Sequence, residues 1–199
     1  LGKSLSDQID ARRYLKLGDE LQAMKQPVKA VEYYQRARVL YQEASAYSQA
    51  PSRITDELSV LSFYIDKLTL QINEKADEYY QQAEVFRQTG EAKKITSLKD
   101  LEDLELSLRL YQKANVLSID RKNLQLAQQQ VQEQLVEHYH RLALKRYSVK
   151  TLPALEEAIA IWAKLLKLSP DYKQATIKQN KAIKLWDAIK AKTTVNEEK

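Results

Sequence analysis

The heptapeptide YQRARVL at residues 34–40 recurs as YQKANVL at residues 111–117. A weaker copy, WAKLLKL, occupies residues 162–168. A helical unit that is used three times cannot bury its apolar face alone and must stack on its neighbours. The repeat therefore predicts an all-α fold, an α-solenoid of helical hairpins joined by long helices.

The composition supports this prediction. The 199 residues include only three Gly and four Pro, whereas hydrophobic residues make up 44% and charged residues 30% of the chain. Few helix breakers among many good helix formers favour long helices with few connections and almost no strand. The balance of apolar and charged residues is typical of a folded chain and excludes a disordered one.

Prolines and glycines mark where the helices of the first half end. We predict helices over residues 6–25, 27–47 and 52–88, with Gly90 as the C-terminal glycine of the third. The third helix has apolar residues at alternating spacings of three and four, which predicts a narrow buried seam: Leu58, Leu61, Ile65, Leu68 and Ile72.

Four further helices are predicted in the second half. Ser97 and Asp100 form a capping-box pattern before a helix over residues 98–117, and Asp120 is the expected N-cap of a helix that ends near Tyr147. Pro153 fits the first turn of the next helix. Asp171 is the expected N-cap of the last, which we predict to end near residue 190, before a flexible tail at 191–199.

Aligning the copies at one small residue divides the chain into three units. They cover residues 1–73, with a long connecting helix; 74–135, with an enlarged loop and a connecting helix; and 136–190, with a C-terminal capping helix. Size matching explains the pattern, because a small residue on the first helix of each unit leaves room for an aromatic ring on the second. The pairs are Gly18 with Tyr34, Ala83 with Tyr111, and Ala143 with Trp162.

The aligned positions resemble the tetratricopeptide repeat, in which a bulky residue, Leu and a small residue mark the first helix and Ala, an aromatic and Ala mark the second. The period here is roughly 60 to 65 residues against about 34 in that family, so the chain resembles a divergent array, similar to bacterial envelope repeat lipoproteins. The matching positions are Tyr14, Leu17, Gly18, Leu21, Ala30, Tyr34 and Ala37 in unit one; Tyr79, Ala83, Phe86, Ser107, Tyr111 and Ala114 in unit two; and Tyr139, Leu142, Ala143, Ala158, Trp162 and Pro170 in unit three.

The resemblance implies a non-catalytic scaffold or adaptor that binds a protein or peptide along its first helices. Leu15 and Asp19 stand where the family's chaperone-tail clamp has Lys and Asn, so a carboxylate clamp is not expected. The mixture of charges and aromatics suits a peptide or helix. The partner-binding positions that transfer are Arg12, Asp19, Gln22, Tyr80, Glu84, Arg87, His140 and Tyr147.

Twelve tyrosines leave two interpretations open. Exposed tyrosines form stacking surfaces for bases or sugars. However, five of them occupy packing positions of the repeat, which favours buried rings whose hydroxyls reach the edge of the stack. These five are Tyr14, Tyr34, Tyr79, Tyr111 and Tyr139.

The basic charge is concentrated in the C-terminal third. The whole chain carries +5, and residues 136–199 contain 13 Lys or Arg against 7 Asp or Glu. We interpret the last helix as a capping helix with a solvated lysine face: Lys173, Lys178, Lys181 and Lys184. Its other face carries Tyr172, Ala175, Ala182, Ile183, Trp186 and Ile189. An acidic protein, an anionic membrane or nucleic acid is the alternative partner of these lysines, nucleic acid being the least favoured.

No pattern of catalytic or metal-binding residues was found in the sequence. His138 and His140 are two residues apart on a helix and point in different directions, so they do not share a metal. Glu102-Asp103 and Glu156-Glu157 lie near helix N-termini, where carboxylates stabilise the helix dipole. We therefore predict a protein that is not an enzyme and has no cofactor or metal.

The chain contains no cysteine and no apolar run near the ~20 residues that span a bilayer. It also starts at Leu1, not at Met. We expect the soluble part of a bacterial cell-envelope protein, periplasmic or attached to the outer membrane only through an upstream anchor. A cytoplasmic protein and a regulatory module of a larger enzyme are the alternatives.

Overall fold

The structure, a computed structural model, describes residues 2–48, 51–117 and 122–197. Within these ranges every regular element is helical, which confirms the all-α prediction. A short 3-10 helix, Leu98–Leu101, precedes the fourth α-helix. The α-helices are α1 (Gly2–Ala23), α2 (Pro27–Ala46), α3 (Pro51–Glu91), α4 (Glu102–Leu117), α5 (Lys122–Tyr147), α6 (Leu152–Leu168) and α7 (Lys173–Glu197).

Helix boundaries agree with the sequence analysis within a few residues at most sites. Helix α1 begins earlier than expected, at Gly2, and α7 continues to Glu197, beyond the point where the tail was expected. Asp171 is not the N-cap of α7, because the carbonyl of Tyr172 accepts the first helical hydrogen bond, from Ala175. The predicted cap Asp120 lies outside the described residues.

The chain forms two compact units. The first unit comprises Leu1–Tyr80 with Gln112–Lys122, and the second comprises Gln81–Tyr111 with Asn123–Lys199. Residues 136–190, expected to form a repeat unit of their own, all lie in the second unit. Helices α3 and α4 each contribute residues to both units.

A tight hairpin of α1 and α2 organises the first unit. Lys25 takes a left-handed backbone conformation, with a φ of 58°, and the chain turns there. The amide of Gln26 donates to the carbonyl of Leu21 and the amide of Lys25 to that of Gln22, which satisfies the last carbonyls of α1. Pro27 then starts α2 at a position that needs no amide hydrogen.

The core of the first unit is the apolar surface shared by α1, α2 and α3. The seam predicted on α3 is buried, with Leu58 only partly so. Burying such a continuous apolar stripe is the main favourable contribution to the folding of a helical unit. The buried residues are Ala11, Ala30, Val31, Tyr34, Ala37, Tyr41, Ala44, Ile54, Leu61, Ile65, Leu68 and Ile72.

Gly18 and Tyr34 make the closest contact of the α1–α2 hairpin. A Cβ atom at position 18 would lie 2.5 Å from Cε1 of the Tyr34 ring, nearer than side chains pack. Both residues are buried. The size matching read from the sequence is therefore present here, and it requires a glycine.

The corresponding residues of the second unit are also buried. Ala83 and Tyr111 are fully buried, and the hydroxyl of Ser107 donates to the carbonyl of Ala83 over 2.8 Å, which links α3 to α4. Ala143 of α5 and Trp162 of α6 are fully buried as well. The small and aromatic residues expected to pack together are thus buried in every predicted unit.

Gly90 does not end α3 as predicted. It lies inside the helix and is buried, and no glycine in the described residues has a positive φ. A Cβ at position 90 would lie 2.7 Å from Cγ and 3.2 Å from the backbone nitrogen of Leu104. The glycine is needed because α4 approaches α3 closely, not because the backbone turns.

The capping pattern before α4 is confirmed. The Oδ2 atom of Asp100 accepts hydrogen bonds from the backbone amides and the hydroxyls of Thr96 and Ser97. These donors favour the ionised carboxylate and hold the pKa of Asp100 at about 2. They fix the end of the loop that follows α3.

Helix α7 packs against α6 through its small residues. Ala175 and Ala182 are fully buried, and Nε1 of Trp186 donates to Glu156 over 3.0 Å. Ile183, which we placed on the packed face, is 38% exposed. In the part of the chain that the structure describes, no helix has the length and apolarity to cross a membrane.

Candidate protein-binding groove

An open cavity of about 610 Å³ lies in the first unit, between α1, α2 and α3. Its floor is mainly apolar, and its rim carries charged side chains. The residues that line it are Arg12, Leu15 and Asp19 of α1; Tyr34 and Tyr41 of α2; and Asp56, Glu57, Val60, Leu61 and Tyr64 of α3. We call this cavity the groove.

The floor of the groove exposes apolar surface to solvent. Val60 is 71% exposed although it is aliphatic, and the ring of Tyr64 lies beside it on α3. The Tyr34 and Tyr64 rings meet edge to face, with centroids 5.4 Å apart. Aromatic rings held in this way present a firm apolar surface, which suits an aliphatic or aromatic anchor of a partner.

A hydrogen-bond network sets the position of these rings. The hydroxyl of Tyr34 donates to Oδ1 of Asp19 over 2.7 Å and also lies 3.1 Å from Oε1 of Gln22. The hydroxyl of Tyr64 also donates to Oε1 of Gln22. Burial and the neighbouring Asp19 carboxylate raise the pKa of Tyr34 above its usual value, so its hydroxyl stays protonated and remains a donor.

The charged rim is predominantly acidic. Asp19, Asp56 and Glu57 face one cation, Arg12. Arg53 approaches Glu57 to 3.8 Å from outside the groove, in an exposed ion pair. Exposed pairs of this kind contribute little to stability, so the rim charges remain accessible to a partner.

The structure brings together the partner-binding positions predicted in unit one. Arg12 and Asp19 line the groove, and Gln22 bonds to two of the rings that line it. The contribution of α3 to the groove, including Val60 and Tyr64, was not predicted from the sequence. The signal was present, since both are large apolar or aromatic residues that lie off the buried seam.

The positions predicted in unit two form internal contacts. Arg87 binds Glu84 over 2.7 Å and Glu91 over 3.0 Å, and Glu84 also accepts the hydroxyl of Tyr111. The Arg87 guanidinium is the main reason why the pKa of Glu84 lies below its usual range. Tyr80 is partly buried in α3. Glu84 therefore holds the buried aromatic of its hairpin, much as Asp19 holds Tyr34.

The positions predicted in unit three surround Trp162. Its Nε1 donates to Nδ1 of His140 over 3.3 Å, and the Tyr147 ring lies 5.8 Å from the indole. Tyr172 packs edge-on against His140, with centroids 5.2 Å apart. Burial, and then the charge of Lys178, lower the pKa of His140. His140 and Tyr147 thus brace the indole.

The four lysines of α7 do not have the same environment. Lys173, Lys181 and Lys184 are exposed, whereas Lys178 is partly buried and its charge acts on His140. Ile177, which is 53% exposed, lies one helical turn after Lys173 and one turn before Lys181. Among the described residues, no group of three or more His, Asp or Glu could hold a metal ion.

The five tyrosines expected in the core differ in burial. Tyr34, Tyr111 and Tyr139 are buried, and their hydroxyls donate to Asp19, Glu84 and Glu105, respectively. Tyr14 and Tyr79 are only partly buried.

Comparisons with protein-family models, with curated proteins and with solved structures found no match for the chain.

Proposed function

We propose that the chain is a non-catalytic scaffold that binds a segment of another protein in the groove of its first unit. The observation that carries this proposal is the solvent-exposed apolar surface at Val60 and Tyr64, in an open groove that α1, α2 and α3 line and that also carries charged side chains. Grooves of this type accept a helix or an extended peptide through apolar anchors, and a polar rim adds specificity.

We further propose that the hairpins form a divergent tetratricopeptide-like array. The support is a contact that recurs along the chain. In each hairpin a polar atom of the buried aromatic donates to the first helix: Tyr34 to Asp19, Tyr111 to Glu84, and Trp162 to His140. Repeated use of one packing solution is what a repeat architecture requires.

A binding role fits the titration behaviour of the groove better than a catalytic one. Burial raises the pKa of both Tyr34 and Tyr41. A phenol that holds its proton more tightly is less available as a base or a nucleophile near neutral pH. In the groove, these hydroxyls serve as hydrogen-bond donors that hold rings in place.

Selection from a displayed peptide library tests the binding role. Peptides enriched on the wild-type chain should bind it in solution and should bind the Val60→Glu variant at least about tenfold more weakly, since a charge is placed on the apolar floor. Leu70→Glu is the matched control, because Leu70 is a 59% exposed aliphatic residue of the same helix outside the groove. If Val60→Glu binds the peptides as well as Leu70→Glu does, the groove is not the binding site.

A second candidate function is electrostatic binding of nucleic acid or an anionic membrane through α7. The observation in its favour is the exposed side of the helix that carries Lys173, Lys181 and Lys184 around Ile177. Such binding should weaken steeply as salt is added and should be lost when the three lysines are changed to Glu. Binding that is insensitive to salt would exclude this candidate.

We also propose that the protein works in the bacterial cell envelope, as the absence of cysteine and the resemblance to envelope repeat proteins favour. Fractionation of cells that express the complete natural gene product provides the test. Recovery with the periplasm or the outer membrane supports this placement, and recovery only with the cytoplasm contradicts it.

A further inference from the structure

We propose that the segment bound in the groove is cationic, with an apolar anchor flanked by Lys or Arg. This inference depends on the function proposed above and names the chemistry of the partner at the same site. The charges around the groove are predominantly negative.

Three carboxylates and one guanidinium reach the groove. Asp56 is exposed and has no ion-pair partner among the residues that the structure describes. Asp19 accepts the Tyr34 hydroxyl, which leaves its charge in place. Both carboxylates are therefore accessible acceptors for a cationic side chain.

Arg12 is the one cation among the residues that line the groove. Its guanidinium lies close enough to Tyr41 to affect the pKa of that hydroxyl, on which Glu57 also acts. An incoming carboxylate would meet one guanidinium and three carboxylates in this groove. An acidic segment is disfavoured at this site, and a basic one is favoured.

This local preference opposes the charge of the whole chain. With a net charge of +5, non-specific electrostatics would repel a cationic peptide and attract an anionic one. A measured preference for a cationic peptide therefore reports the groove and not the overall field. The two effects predict opposite orders of affinity, which makes the proposal testable without a known partner.

The experiment uses three fluorescently labelled amphipathic model peptides with identical leucine anchors and with Lys, Gln or Glu at the remaining positions. Fluorescence anisotropy gives their affinities for the intact chain. We expect the Lys peptide to bind about tenfold more tightly than the Gln peptide, the contribution of two exposed ion pairs, and the Glu peptide to bind most weakly. Added salt should reduce the difference.

Charge reversal at the rim supplies the matched comparison. Asp56→Lys should lower the preference for the Lys peptide to about threefold or less, because one of the two ion pairs is lost and the new lysine repels the peptide. Asp66→Lys makes the same change of charge at an exposed position of α3 that does not line the groove, so it should leave the preference within about twofold of wild type.

Each remaining outcome overturns a defined part of the account. If the Lys and Gln peptides bind equally and Val60→Glu weakens both, the groove binds peptides but the inferred charge preference is wrong. Tighter binding of the Glu peptide overturns the inference as well, as does equal behaviour of Asp56→Lys and Asp66→Lys. If none of the three peptides binds, the inference falls, and the library selection decides the proposed function separately.

Discussion

The first and last hairpins use the same packing plan with different chemistry. In the α1–α2 hairpin the Tyr34 ring lies so close to Gly18 that no Cβ fits between them. In the α5–α6 hairpin Ala143 and the larger Trp162 are both fully buried. The acceptor that holds the aromatic is a carboxylate, Asp19, in the first case and an imidazole, His140, in the second.

The difference explains why only the first of these two hairpins is proposed as a binding site. The rings of His140 and Tyr147 pack against Trp162, and the Tyr172 ring packs edge-on against His140. Beside Tyr34 the ring of Tyr64 packs edge-on, and Val60 leaves apolar surface open to solvent. One hairpin thus has its aromatic enclosed by further rings, whereas the other retains a groove.

Truncating either aromatic should have the largest effect on stability. Tyr34→Ala and Trp162→Ala should each lower the free energy of unfolding by about 3 to 5 kcal/mol, because a fully buried ring is replaced by a cavity. Urea unfolding followed by circular dichroism measures this. A loss below about 1 kcal/mol for either variant would show that its ring does not hold the hairpin.

Adding one methyl group at Gly18 should have the next largest effect, and it is specific to the first hairpin. Gly18→Ala should cost about 1 to 2 kcal/mol, because overpacking against Tyr34 outweighs the better helix propensity of Ala. Gly2→Ala is the control, since no atom lies within 4 Å of a Cβ at that position. Equal unfolding midpoints for the two variants would contradict the close contact.

The change of acceptor makes the stability of the last hairpin depend on pH. The folded chain holds His140 neutral, because the imidazole is partly buried among Trp162, Tyr172 and the positive charge of Lys178. Its pKa lies below the ordinary 6.5, so the unfolded chain takes up a proton first as the pH falls. The free energy of unfolding should decrease as the pH falls below 6.5. It should level off once the pH lies below the pKa of His140 in the folded chain.

Thermal melting between mildly acidic and neutral pH checks this expectation in a His138→Gln background. That background is needed because burial and then Arg141 also lower the pKa of His138. Changing His140 to Gln as well should remove the decrease over this range. If stability still decreases by the same amount in this double variant, groups other than His140 cause the decrease.

The smallest expected effect on stability comes from the residue that ends the first helix of each hairpin, and it should be the same in both. Lys25 and Lys150 both have a left-handed backbone at the end of a first helix, with φ of 58° and 57°. Glycine takes this conformation without the steric cost of a side chain, so Lys25→Gly and Lys150→Gly should each stabilise the chain by about 0.5 to 1 kcal/mol. Lys94→Gly in the loop after α3, where no positive φ occurs, should not stabilise it.

Local patterns allowed much of the fold to be predicted. The seam on α3, the cap at Asp100 and the contact of Gly18 with Tyr34 follow from spacing and residue size, which act within one helix or one hairpin. The reason why position 90 requires glycine could not be predicted from the sequence. It depends on how closely the backbone of Leu104 on α4 approaches α3.

The candidate site was predictable only in part. Arg12 and Asp19 followed from the repeat resemblance, and both line the groove. The α3 side of the groove was missed, because the positions that the repeat resemblance transfers in the first unit all lie on α1. The internal roles of Glu84 and His140 also depend on contacts between residues that are more than 20 positions apart.

A double-mutant cycle between positions 18 and 34 tests the central claim most directly, namely that a small residue and an aromatic ring lock each hairpin. The free energy of unfolding is measured for wild type, Gly18→Ala, Tyr34→Leu and the double variant. We predict that Gly18→Ala costs about 1 to 2 kcal/mol with Tyr34 present and is neutral or stabilising in the Tyr34→Leu background, because the clash has gone and the helix propensity of Ala remains. The same cost in both backgrounds would contradict the account.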